Sequence, residues 1–86
     1  MSEIKREDIK KEIVRIVAEV LDIDTDEITE DKELDSDLKI DSLALYEIVV
    51  EIEEFYSLRI SNDEADDLST VGEAIDFICD KIERRQ

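Results

Sequence analysis

The segment LKIDSLALYEIVVEIEE, residues 38–54, decides the fold. Leu45, Ile48, Val49 and Ile52, continued by Phe55 or Tyr56, fall at the 3- and 4-residue spacing of one helical face. Leu43, Tyr46 and Val50 make a second apolar strip. A helix this widely apolar needs more than one neighbour, so it is expected to be central or to offer its second strip to a partner. Its start falls at Asp41 or Ser42. The functional question is why a serine stands there: as a helix cap, as a nucleophile, or as a position that another enzyme modifies.

Upstream, Ile9, Ile13, Ile16, Val17 and Val20 form one stripe of an amphipathic helix expected over residues 4–21. Residues 22–40 break that rhythm, leaving Ile23, Ile28, Leu34, Leu38 and Ile40 isolated among acids. A long loop anchored by these side chains is expected; its length implies a function or a short helical turn. Downstream, SNDE (61–64) and TVGE (70–73) both fit the capping box. The first opens a short helix over 62–68; the second opens a helix over 71–84 with the stripe Val71, Ala74, Ile75, Ile78 and Ile82. Lys81, Arg84 and Arg85 stand at its end, where the helix dipole favours cations. The expectation is an all-α chain with three main helices and one short one, forming a single domain over residues 1–86.

The 86 residues include one glycine, Gly72, and no proline, which argues against a many-turned β fold. A chain of this size has a thin core and cannot easily enclose a deep catalytic cavity. No apolar run is long enough to span a membrane, and the start MSEIKREDIK has no signal-like apolar region. With a lone cysteine, Cys79, a reducing cytoplasm is the expected compartment. The 27 acids against 11 bases give a net charge of −16, which excludes ordinary nucleic-acid binding and favours basic protein partners. The charge is uneven: the first 15 residues hold five bases, whereas residues 41–80 hold twelve acids and only Arg59.

Self-catalysis by Ser42 would need a general base, and the chain has no histidine. Lys39 is close, but an exposed acidic loop does not desolvate it. DIDTDEITEDKE (22–33) places Asp22, Asp24, Asp26 and Glu33 at the calcium-ligand spacing of an EF-hand, yet Glu27 replaces the glycine its sharp turn requires. Cys79 reads as a small apolar filler, and Tyr46 and Tyr56 as packing residues. Ser42 keeps two readings. It is an N-cap, with Asp41 sharing the role, or it is a covalent acceptor whose attached phosphodiester is favoured by the helix N-terminus.

DSDLKIDSLALYEIVVEIEEFYSLRI (35–60) resembles the centre of acyl carrier proteins, where an acid-rich loop leads to Asp-Ser-Leu and an apolar–acidic helix ending in Glu-Glu-Phe. Asp37–Leu38, the run Asp41, Ser42 and Leu43, and the run Glu53, Glu54 and Phe55 carry the likeness, which continues through ISNDEADDLSTVGEAIDFI (60–78). The resemblance implies a four-helix bundle and a carrier rather than an enzyme. It implies that Ser42 receives a 4′-phosphopantetheine arm from coenzyme A through a phosphopantetheinyl transferase. The arm would hold acyl groups as thioesters, sheltered between the second, third and fourth helices. It further implies docking of acyl-transferring and condensing enzymes with basic patches, through Asp41, Glu47, Glu53 and Glu54 and through Leu43 and Val50. A monomer is expected.

Three positions depart from the family pattern: Lys39 stands for a glycine, Ala44 for a frequent acid and Ser61 for a proline. A stiffer loop, a cation near the arm's phosphate and a weaker docking charge are the expected consequences. They favour a dedicated carrier for polyketide, specialised lipid or aminoacyl transfer over a standard fatty-acid one. The alternatives are a small divalent-cation-binding protein using Asp22, Asp24, Asp26 and Glu33, or an acidic interaction module with Ser42 unmodified.

Overall fold

The computed structural model describes residues 5–85, with side chains through Arg84. Its element order is α1 (Arg6–Leu21), a 3-10 turn (Thr25–Glu27), α2 (Ser42–Tyr56), α3 (Asn62–Asp66) and α4 (Val71–Arg85). The architecture is the expected all-α arrangement of three long helices and one short one. The first turn of α1 carries Glu7 and Asp8, which suit the positive end of the helix. Residue 4, placed at the helix start from the sequence, lies outside the described residues. The helix stops where Asp22 turns into the left-handed region at φ 59° and its N–H bonds back to Ala18 O. α2 ends the same way at Ser57, φ 57°, whose N–H bonds to Glu53 O. In a chain with one glycine, Asp and Ser stand where glycine would be unstrained.

The core is aliphatic. Ile9, Ile13 and Ile16 of α1, Ile48 and Ile52 of α2, and Val71, Ile75, Ile78 and Ile82 of α4 are buried, and no polar side chain among the described residues is buried with them. Each such isoleucine contributes about 1.5–3 kcal/mol by leaving water. α1 packs against both α2 and α4. The sequence placed Phe55 or Tyr56 on the inner face; Tyr56 is half-buried, whereas Phe55 is 54% exposed and touches Tyr56 edge-on at 4.8 Å between ring centres. The helix is simply turned so that only one of the two neighbours can face in.

The α1–α2 loop is far from structureless. Ile28 and Ile40 are buried, and Ile23, Leu34 and Leu38 pack half-buried against the core. Leu34 N–H bonds to Ser69 O, Val71 N–H to Lys32 O and Gly72 N–H to Glu30 O, with an antiparallel bridge pairing Glu33 and Thr70. Gly72 permits this close approach, since a Cβ there would lie 3.3 Å from Glu30 O. The Glu30 carboxylate then accepts from both terminal nitrogens of Arg6, at 2.7 and 3.0 Å, and pairs with Lys10 at 3.2 Å. Arg6 also reaches Asp76 at 2.8 Å. The loop is thus strapped to α1 and α4, and Arg6 with Lys10 holds the Glu30 carboxyl down to about 2.

A helix end and a cap differ from the sequence reading. α3 closes at Asp66 rather than 68, with Asp67 N–H already bonding back within the last turn. The Ser61–Glu64 capping box forms as expected, with Glu64 N–H on Ser61 Oγ at 3.1 Å and Ser61 N–H on Glu64 Oε1 at 3.0 Å. At α4, Thr70 Oγ1 caps Glu73 N–H, but the Glu73 carboxylate reaches one residue further back, to Ser69 N–H at 2.9 Å.

Candidate functional site

The first turn of α2 shows which residue caps the helix. Asp41, in extended backbone at φ −87° and ψ 179°, is the N-cap, and its Oδ1 accepts from Ala44 N–H at 2.9 Å. Ser42 is therefore the first residue inside the helix. It is exposed, and its hydroxyl makes no hydrogen bond among the described residues. Capping needs one side-chain acceptor, and Asp41 supplies it. What remains is a free hydroxyl at the positive end of a 15-residue helix.

Ser42 stands on the wall of an open cleft of about 400 Å³ between the loop (Glu33, Leu34, Asp35) and the α3 region (Ala65, Asp66, Leu68). Four of its lining residues, Leu34, Ile40, Leu45 and Leu68, also line a closed interior cavity of about 30 Å³. That cavity runs among Ile13, Ile48, Ile52, Ile60, Phe77 and Ile78 and is wholly apolar. Its empty volume is that of one or two water molecules at most, roughly. The serine thus faces a polar-rimmed entrance whose floor is the lid of a dry interior.

On the other side of α2 lies an open groove of about 600 Å³ lined by Leu43, Tyr46, Val50, Glu47, Glu51, Glu19 and Val20. Leu43 is 71% exposed and Val50 49%, so the second apolar strip read from the sequence is a surface strip. Tyr46, read as a packing residue, lines this groove. Glu47, Glu51 and Glu54 form no salt bridge with any described residue. Glu53 differs: it is half-buried and accepts from Ile60 N–H at 2.8 Å. Its carboxylate thus also serves the α2–α3 turn. Glu19 and Glu51 were not singled out from the sequence, and Val20 was read only as part of the α1 stripe; Glu51 follows Glu47 by one helical turn, and that i,i+4 spacing was the available signal.

Lys39, at the position where the resemblance expects glycine, lies in the left-handed region at φ 59° and is exposed. The EF-hand-like residues do not come together. Asp22 terminates α1, Asp24 donates its N–H to Glu27 as the 3-10 turn opens, and Glu33 bonds with Ser36 and Asp37 beside Thr70. No group of three or more metal-ligating side chains converges among the described residues. Cys79 is half-buried, and burial pushes its thiol up, as suits a filler. Among the described residues no helix is long and apolar enough to cross a membrane.

Comparison with known proteins agrees with this geometry. A family profile described as "Phosphopantetheine attachment site" matches residues 11–78. The acyl carrier protein of Acidothermus cellulolyticus is 39% identical over 75 residues, covering 87% of this chain and 89% of that one. The chain belongs to the acyl carrier protein family. A relative of the same description from Cyanidium caldarium is 38% identical over 82 residues, 95% of each chain. An acyl carrier protein structure from Enterococcus faecalis, 31% identical, superposes with a TM-score of 0.75 over 91% of this chain and 99% of that one. One from Thermotoga maritima, 23% identical, shares the fold with a TM-score of 0.82 over both whole chains. The role of this acyl carrier protein is to carry acyl groups, and its prosthetic group is 4′-phosphopantetheine. The free hydroxyl at a helix N-terminus beside an open cleft fits such a group, since a phosphodiester there meets unpaired N–H groups and a favourable potential.

Proposed function

We propose that Ser42 is the residue that bears the arm, and that the whole chain acts as one free-standing carrier domain, a substrate and shuttle rather than a catalyst. The observation that carries this reading is the division of roles at α2: Asp41 caps the helix and leaves Ser42 Oγ exposed at the mouth of the cleft. When attached, the arm supplies a thiol that holds acyl groups as thioesters. The chain's own residues do the rest. The N–H groups of the first α2 turn favour the phosphodiester, Leu34, Ile40, Leu45 and Leu68 part to admit a chain, and the aliphatic interior excludes water from it. Base and metal for the attachment belong to the visiting transferase, so the chain needs no histidine.

The docking surface of this reading is the α2 groove. Leu43, Tyr46 and Val50 would receive an apolar side chain of a partner enzyme, and Glu47, Glu51 and Glu54 would meet its basic rim. Asp41 sits beside the serine, with its carboxylate shared with the cap. Partners are the transferase and acyl-transferring and condensing enzymes with basic patches, in fatty-acid, polyketide or specialised lipid synthesis. The protein works as a monomer between encounters, in the cytoplasm, where a lone half-buried thiol is stable. Incubation with coenzyme A and a broad-specificity transferase should add one phosphopantetheinyl mass, read on the intact protein. Ser42→Ala should add none. A protein that stays bare, or a Ser42→Ala variant that still gains the mass, would refute the assignment.

A further inference from the structure

The dry cavity is lined by half-buried side chains as well as fully buried ones. Leu34, Leu45 and Leu68 are half-buried and shared with the Ser42 cleft, whereas Phe77 is half-buried and lines the cavity without lining the cleft. Any acyl chain of useful length exceeds the present volume, so lining residues must move, and a half-buried side chain moves more readily than Ile13 or Ile78 deep in the core.

Lys81 sits over this aromatic residue. It follows Phe77 by one turn of α4, and its ammonium lies 5.4 Å from the centre of the Phe77 ring. The same nitrogen donates to Arg59 O at 3.0 Å and pairs with Glu64 Oε1 at 3.0 Å. Glu64 Oε1 also accepts Ser61 N–H in the cap of α3. Among the described residues this is the one ion pair between α3 and α4, and the Lys81 side chain is only 26% exposed, against 78% for the Arg84 of the neighbouring pair. α3 has five residues, too few to hold a helix without such ties. One cation therefore lies over a ring of the cavity wall and reaches the turn before α3 and the first turn of α3.

We infer that Lys81 is a strap closing the Phe77 wall of the acyl cavity, holding Phe77 as its stop and α3 against α4, and so limits the length of chain the carrier shelters. This rests on the carrier reading above for the acyl chain, though the strap itself does not need the arm. Two measurements separate them. In the unloaded protein, Lys81→Met keeps the stem over Phe77 but loses the ion pair and the donor. Amide exchange at Ala65 and Leu68 of the α3 region should then quicken about tenfold relative to Ile16 and Ile75. Lys81→Arg should restore protection. Equal acceleration throughout, or none in the α3 region, overturns the strap.

In protein loaded with saturated acyl chains of increasing length, the melting temperature should rise with length and level off where Phe77 blocks. In Lys81→Met and Phe77→Leu the rise should continue to longer chains. An identical plateau in parent and variants overturns the length limit. If Ser42 takes no arm, the carrier assignment fails and the exchange measurement alone decides the strap.

Discussion

α1 and α2 are neighbours of nearly equal length that treat charge in opposite ways. On α1, Arg6 and Lys10 meet Glu30, Arg6 meets Asp76, and Arg15 is held between Glu12 and Glu19. On α2, Glu47, Glu51 and Glu54 have no described cation, and an apolar strip lies open beside them. The first helix pairs Arg6, Lys10 and Arg15 inside the molecule. The second leaves Glu47, Glu51 and Glu54 for something outside. A chain of net charge −16 has few cations to place, and two of those on α1, Arg6 and Lys10, are committed to holding the loop and α4. The acids along the α2 groove have no counter-ion among the described residues.

The comparison predicts that the two helices fail differently. Reversing charge on α2, with Glu47→Lys and Glu51→Lys together, should slow association with a transferase by about ten- to a hundredfold at low salt. Stopped-flow rates should lose their salt dependence while the melting temperature stays level or rises. Arg6→Met should do the reverse: lower the melting temperature, with a smaller deficit at high salt, and leave transferase kinetics unchanged. If Arg6→Met slows attachment as much as the α2 reversal, the division between the helices is wrong.

Acid should distinguish them as well. The Glu30 carboxyl is held near 2, below its ordinary value, so its contribution is complete above about pH 5 and disappears as pH falls toward 2. Glu30→Gln should remove that contribution, giving a shallower loss of stability from pH 5 to 2 by circular dichroism. The smallest expected effect lies between the helices. Lys39→Gly relieves a left-handed backbone but frees the unfolded chain, so a net gain of about 0.5–1 kcal/mol is expected in denaturant melts.

The helices were legible because each is written in local periodicity, and Ser61 with Glu64 announced the start of α3 through a cap that spans four residues. The serine was legible as an alternative between two roles. What the sequence could not decide was which of Asp41 and Ser42 would cap, because both are competent and one dihedral separates them. The loop was legible only in its apolar anchors. Its main-chain bonds to residues 69–72 are independent of side-chain pattern, and the Arg6–Asp76 contact joins residues 70 positions apart. Lys81 looked like a dipole-compensating cation at a helix end. Its bridge to Glu64 depends on how α3 lies across α4, which no local spacing encodes.

The cap at Asp41 has one more consequence. Because the preceding aspartate secures the turn, the serine oxygen can change its covalent state without the scaffold registering it. Bare, armed and loaded molecules would then present successive enzymes with the same capped first turn of α2. Such a relay could read cargo from the cavity while recognising its courier by an unchanging doorway.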